Sequence, residues 1–250
     1  MKTFTKNLIL FALALMCAGG AAFAGYTVEQ ENQLGKEADA EFMKQYKLST
    51  DKTAAAELES IGKKIAAQVS RKEIKYTFKL VTADEYNAFA IPGGYVYFTE
   101  KLWKQMTPAE RAGVIGHEIT HVDKRHAIKA YEKNQRRALI YGIGGAVLAG
   151  GKYANVASVA YQLGSLSYSR SNEKDADLGG TDLCIAAGLD PTGVYRSMLR
   201  LEQIANSSGK KSANPTILST HPATKDRVKY LRKYLEGKGI NVPDIEADYK

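Results

Sequence analysis

The chain has 250 residues, 44% hydrophobic and 25% charged, which suffices for a sizeable core in one domain or two small ones and excludes disorder and collagen-like repeats. Its 35 Lys and Arg against 27 Asp and Glu give a formal charge of +8, but the cations are scattered among acids, so nucleic-acid binding is not expected. Peripheral contact with an anionic membrane surface is compatible with that excess.

Lys2 and Lys6, the apolar run 8–18 and the small-residue site Ala22-Phe23-Ala24 form the three parts of an export signal over residues 1–24. Cleavage after Ala24 leaves a mature chain, 25–250, with a charge of about +6, expected in the periplasm or an equivalent space. Lipoprotein processing at Cys17 fits less well, because Met16 stands where a small residue is expected and Ala14 replaces the usual leucine. An uncleaved anchor also fits less well, since the run is shorter than the ~20 residues of a bilayer span. Removal of Cys17 leaves Cys184 alone in the apolar stretch 183–187, where it is expected to be a buried, inert thiol.

In the mature chain, Leu34, Ala38 and Phe42 recur every four positions between Thr27 and Tyr46, and Ala54, Leu58, Ile61, Ile65 and Val69 do so between Lys52 and Ser70. Two amphipathic helices are therefore expected. Tyr76, Phe78 and Leu80 alternate with polar residues, and Tyr95-Val96-Tyr97-Phe98 follows the breaker Pro92-Gly93-Gly94, predicting strands of a small sheet. Thr107-Pro108-Ala109-Glu110 is a capping box with proline at the first helical position. That helix is expected to run past His126 to about Arg137.

Residues 138–151 carry no charge and place Gly142, Ala146 and Gly150 at four-residue spacing, a pattern that permits close helix approach. Fourteen residues are too few to cross a bilayer. A tightly packed hairpin helix is expected there rather than a lipid-touching patch. Asp190-Pro191 predicts the start of a helix bearing Val194, Met198, Leu201 and Ile204. A polar loop, 206–219, precedes a last helix with Val228, Leu231 and Leu235, and no repeat or linker divides the chain. The expected class is α+β, mainly helical.

The chemistry centres on His117-Glu118-Ile119-Thr120-His121. On a helix His117 and His121 are about 40° apart around the axis and one turn apart along it, so both imidazoles can reach one ion. Glu118 projects from the flank of that face, where it can handle the proton of an attacking water. This is the spacing of a zinc site in which two histidines bind the metal and the carboxylate handles the proton of its bound water. Catalytic zinc needs a third protein ligand. His126, five residues past His121 and about 140° further round a continuous helix, points away and is assigned a solvated or capping role. Glu173 is the better candidate, on a second helix ending near Gly188. Asp177, four residues on, shares its face and can accept the free ring N–H of a ligand histidine.

The chain resembles the zinc metallopeptidases of family 48, which include the CaaX prenyl endopeptidases and the HtpX-type and Oma-type proteases. The resemblance rests on Asn87 to Gly94, the histidine pentad, Ser169-Arg170 through Glu173 to Asp177, and Thr220-His221-Pro222 with Arg227. It implies a gluzincin fold with His117, His121 and Glu173 as zinc ligands, Glu118 as general base and endopeptidase activity on unfolded or extended polypeptides. It also implies that Asn87, Ala88, Phe89 and Ala90 form the edge strand on which a peptide lies. His221 and Arg227 match a late motif of the family. There His221 could stabilise the oxyanion, cap the zinc in a latent state, or simply start a helix before Pro222. The integral-membrane members carry spanning helices that this chain lacks, so the resemblance is to the soluble, exported members. The alternative expectations are a catalytically silent zinc-fold protein acting as an envelope chaperone, and a membrane-surface scaffold.

Overall fold

A computed structural model describes residues 25–140, 160, 163–164, 166–208, 216–222, 224–242, 244–245 and 249. The expected leader, 1–24, and residues 141–151 of the small-residue run lie outside the described residues. Helix α1 spans Val28–Gln45 and opens on a capping box between Thr27 and Gln30. Strand β1 is Lys47–Leu48, and α2, Lys52–Ala66, is capped by the Asp51 side chain. The predicted end of α2 at Ser70 is four residues too late. Val69 is buried in the core although it lies beyond the helix, so the apolar period outlasts the helical backbone.

Three more strands follow: β2 at Thr77–Thr82, β3 at Ala88–Ile91 and β4 at Tyr95–Thr99. Pro92–Gly94 turns β3 back onto β4, with Gly93 and Gly94 in the left-handed region at φ 77° and 88°. The sheet order is β1-β2-β4-β3, parallel between β2 and β4 and antiparallel elsewhere, with Ala88 opposite Phe98. Alternation sorts the side chains onto two faces. Leu80, Ala88, Ala90, Val96 and Phe98 enter the main core with α2 and the helices that follow the sheet. Val81, Phe89, Ile91 and Tyr97 face α1, where Phe42 packs 5.0 Å from Phe89 between ring centres. β3 ends the sheet among the described residues.

Helix α3, Glu100–Gln105, leads into α4, Pro108–Asp123, which starts at the expected capping box: Glu110 Oε2 accepts the Thr107 N–H at 2.8 Å. Arg200 Nε and the Tyr249 hydroxyl also donate to this fully buried Glu110. From Ala112 to Val122 every residue of α4 is buried. Side chains such as Ile115 and Ile119 each contribute about 1.5–3 kcal/mol by leaving water.

The expectation of one helix to Arg137 is corrected. α4 stops at Asp123, Arg125 adopts φ 58°, and a new helix, α5, spans His126–Ile140. The break is held by side chains distant in sequence: Arg125 donates to Glu31 Oε2 at 2.9 Å and to the Tyr26 carbonyl at 2.6 Å. Arg71 donates to both oxygens of the same buried Glu31.

Helix α6, Arg170–Ala186, is capped by Ser169, and Gly188 at φ 68° follows its C-terminus. Helix α7 spans Gly193–Ser208. It starts later than predicted, because Asp190 Oδ1 accepts both the Thr192 N–H and hydroxyl and makes a turn first. A short helix α8, Ile217–Thr220, lies in the expected loop, and α9 spans Lys225–Gly237. Buried Cys184 donates to the Ala112 carbonyl, and burial pushes its thiol up to about 12. No helix among the described residues is long and apolar enough to cross a membrane.

The helices α4, α6 and α7 approach almost backbone to backbone. A Cβ on Gly180 would lie 2.7 Å from the His117 nitrogen, and one on Gly113 would lie 2.2 Å from the Gly193 carbonyl carbon. Gly180→Ala should therefore force α6 off α4 and destabilise the protein by about 1–3 kcal/mol, as read by urea unfolding. Gly237→Ala, where a Cβ meets open space, serves as the neutral control. Equal midpoints for the two variants would contradict the packing argument.

Candidate metal centre

α4 presents His117 and His121 on one face, α6 presents Glu173 and Asp177 on the face opposite, and His221 enters at the C-terminus of α8. Each of His117, His121, Glu173 and His221 is buried, and one ligand atom from each lies within 4.8 Å of all the others. His117 Nε2 is 3.1 Å from His121 Nε2 and 3.2 Å from His221 Nδ1. Glu173 Oε1 is 2.8 Å from His221 Nδ1 and 3.6 Å from His121 Nε2, while Oε2 is 3.7 Å from His117 Nε2.

Donor atoms bound tetrahedrally at 2.0–2.1 Å from one zinc stand roughly 3.3 Å apart, so the observed spacings suit a single cation. The chemistry of the donor set agrees. Asp177, acceptor only when ionised, takes the His117 Nδ1–H at 2.9 Å, which leaves the Nε2 lone pair directed into the cluster. Two buried carboxylate oxygens there, Glu118 Oε1 and Glu173 Oε2, accept no hydrogen bond, although Glu173 Oε2 lies 2.8 Å from Arg227 Nη1 in an ion pair. A buried carboxylate oxygen without a donor is costly, and a cation at the cluster would satisfy such a group.

Arg227 ties the parts together. Its Nε donates to Asp177 Oδ2 at 2.9 Å, Nη2 to Asp177 Oδ1 at 2.6 Å and Nη1 to the Pro222 carbonyl at 3.1 Å. The Tyr230 hydroxyl also donates to Asp177. Burial alone would raise the Asp177 carboxyl. The His117 hydrogen bond and the Arg227 charge outweigh it and hold the group far below the usual carboxylate range.

The other titratable groups divide by surroundings. Burial raises Glu118, opposed by His221, His117 and a hydrogen bond with the Ala90 backbone. Burial disfavours charge on Glu173 and His221 alike, but attraction to neighbouring opposite charges prevails, so Glu173 is lowered and His221 raised. His121 is driven well below its ordinary value by burial and by the neighbouring imidazoles, which keeps it neutral with a free lone pair.

His126 departs from its expected solvated or capping role. It is buried, with Nδ1 2.9 Å from His121 Nδ1, and burial pushes its pKa down to about 4. The helix break at Arg125 swings it back towards the cluster. Tyr168, which sequence reasoning missed, stacks on His121 with ring centres 4.0 Å apart; its place just before α6 gave no periodic or spacing signal. The glycine pair Gly179-Gly180 was a legible hint of close helix contact that the sequence reading did not use.

Of the four edge-strand residues, Ala90 hydrogen-bonds Glu118 through its backbone, and Phe89 and Ala90 border a cavity beside Glu118 and His221. Its volume is about 10 Å³, room for no more than one water. Leu163, Leu166 and Tyr168 close its other side. Ala88 packs in the main core, and Asn87 is tied by its backbone to Thr99. His221 is not at a helix start: it caps the C-terminus of α8 and lies 3.6 Å from Glu118 Oε1 through Nε2.

The family model of peptidase family M48 matches residues 52–235, so the chain belongs to that family. A beta-barrel assembly-enhancing protease of Yersinia pestis is 29% identical over 224 residues, covering 86% of this chain and 46% of the relative. The namesake in Escherichia coli K12 is 28% identical with 86% and 45% covered. Metalloprotease LoiP of Escherichia coli K12 is 25% identical over 233 residues, with 90% of this chain and 89% of LoiP covered. The chain thus spans about half the length of the assembly-enhancing proteases it matches.

Asp177→Ala leaves the buried Arg227 guanidinium without its main partner and should destabilise the fold by about 3–5 kcal/mol, measured by denaturant unfolding. A loss under 1 kcal/mol would mean that Arg227 is not held as described.

Proposed function

We propose that this chain is a zinc-dependent endopeptidase that is exported, loses residues 1–24, and cleaves unfolded or misassembled envelope proteins as a unit formed by residues 25–250. The observation that carries the reading is the convergence of two imidazoles from α4 and one carboxylate from α6, beside a buried Glu118 oxygen that accepts no hydrogen bond. His117, His121 and Glu173 are assigned as the ligands, and three N/O donors with a further position to spare suit catalytic zinc. When bound, zinc would polarise the peptide carbonyl and acidify the attacking water to a pKa of ~7.

Glu118 is assigned the proton. Its carboxylate takes the proton of the attacking water, a step that a pKa raised by burial favours, and returns that proton to the leaving amine. Asp177 holds the His117 ring with Nε2 unprotonated, and Arg227 keeps Asp177 ionised and Glu173 in place. An extended peptide would lie along β3, whose edge can hydrogen-bond any backbone while Phe89 and Ala90 border the reacting carbonyl. The names of the assembly-enhancing relatives suggest β-barrel assembly intermediates as the substrate class.

His221 is assigned to a latent state. Its Nδ1 joins the ligand atoms, so it can fill the position that the reaction needs, and the buried cluster is closed to a peptide in this arrangement.

Glu118→Gln should retain stoichiometric zinc and lose casein cleavage by about 10²- to 10⁴-fold; unchanged turnover removes Glu118 from the mechanism. Glu173→Ala should lose the metal, and full zinc content in that variant would strike it from the ligand set. His221→Ala should raise turnover with zinc retained, whereas a fall would assign His221 to the oxyanion instead. A chelator should abolish cleavage, and persistence of activity would favour the chaperone reading.

A further inference from the structure

The His121 ring has two nitrogens, and both are engaged. Nε2 turns into the cluster, 3.1 Å from His117 Nε2. Nδ1 turns the other way, 2.9 Å from His126 Nδ1. If Nε2 offers its lone pair to a cation, a neutral imidazole must carry its proton on Nδ1. The group in front of that proton is then His126, which must present a lone pair.

We propose that His126 is the positioning residue of His121: its Nδ1 accepts the His121 Nδ1–H and so fixes the tautomer and ring orientation in which His121 binds metal. The proposal rests on the reading of His121 as a metal ligand. It gives each ligand histidine of α4 its own acceptor, Asp177 for His117 and His126 for His121. Such outer partners decide how well a histidine ligates.

Three observations support it. Both rings are buried, so water does not compete for the Nδ1–H. Tyr168 packs on both, with ring centres 4.0 Å from His121 and 6.1 Å from His126, which restrains the two planes. The backbone is also bent to permit the contact. On a continuous helix His126 would point about 140° away from His121, but Arg125 at φ 58° restarts the helix at His126. A non-glycine residue in that region is sterically strained. Glu31 and the Tyr26 carbonyl hold Arg125 there from α1 and the residues before it. The N-terminal helix, remote from the reacting groups in sequence, thereby sets the place of His126.

The test measures zinc affinity of the full mature chain by competition with a chromogenic chelator, together with thermal unfolding of the metal-stripped protein. His126→Leu removes the acceptor while filling the space, and should weaken zinc about 10- to 100-fold. His126→Asn can offer a carbonyl oxygen near the place of Nδ1 and should recover most of that loss. A purely packing role would show up in the unfolding of the stripped protein and would not distinguish the variants by acceptor. Wild-type affinity in His126→Leu, or equal weakening in His126→Leu and His126→Asn, overturns the proposal. If His126→Leu does not fold, His126→Asn is compared with His126→Gln, whose carbonyl stands one methylene further out; Asn must bind zinc more tightly, and equality overturns the proposal. A wild-type chain that binds no zinc overturns the reading of the cluster and this inference with it. A wild type that binds one zinc, with His126→Leu equally tight, overturns this inference alone.

Discussion

The contact on which the rest of the molecule depends is the backbone approach of α4 to α6 where Gly116 and His117 meet Gly180. Two imidazoles one turn apart on one helix can reach a common point, but a carboxylate from another helix reaches it only if the helix axes come close. Side-chain ridges usually hold helices 8–10 Å apart. Removing Cβ atoms at the crossing lets the helices sink together, and Glu173 and Asp177 then arrive at the right height on α6 to face His117. The second glycine contact, Gly113 against Gly193, does the same for α7 on the other flank of α4. The helix that carries the chemistry is thus set between two partners that determine its position through backbone atoms.

Such an arrangement concentrates charge in a place without water, and the structure resolves this by pairing. Asp177 is satisfied by His117, Arg227 and Tyr230 together. Arg227 spreads its remaining reach over Glu173 and the Pro222 carbonyl. Buried ion pairs are weak evidence for stability, because desolvation offsets their attraction. Here they have another use, since one guanidinium fixes the carboxylate behind His117, the candidate ligand Glu173 and the turn that bears His221. Glu118 Oε1 faces His221 Nε2 at 3.6 Å but accepts no hydrogen bond, as suits a group assigned to exchange protons.

Much of this was legible in the residues because the signals were local. Thr107 and Glu110 announce α4, the four-residue spacing of the histidines fixes their common face, and the spacing of Glu173 and Asp177 puts them on one face of α6. Strand alternation assigned Phe78, Leu80 and the residues around Val96 to a sheet. What was not legible depends on distant partners. The break after Asp123 has no glycine or proline to mark it; Arg125 turns left-handed because Glu31 and Tyr26, about a hundred residues earlier, hold it. His126 was therefore sent to solvent by a helical wheel that did not apply. The short helix α8 was hidden in a polar loop, and its docking rests on the Ile217 N–H donating to the Tyr86 carbonyl.

The same contacts decide what can move when a peptide enters. Glu118 is 1% exposed and Glu173 5% exposed, so the described arrangement does not admit a substrate backbone. α4 and α6 cannot separate without dispersing the ligand atoms, and β3 is bonded to β4 along its length. The weaker side of the enclosure is formed by Leu163, Leu166, Tyr168 and His221, which precede α6 or follow α8 rather than belong to the central helices. His221 reaches the cluster from a four-residue helix whose Thr216 cap is half-buried and whose Ser219, which accepts the Thr216 N–H, is exposed. Short, solvent-exposed elements with few buried apolar residues open at the lowest free energy. Access by displacement of that side would leave the assigned ligands His117, His121 and Glu173 in place while freeing both the position assigned to His221 and the edge of β3, so one local movement would supply the two things that the proposed peptide hydrolysis requires.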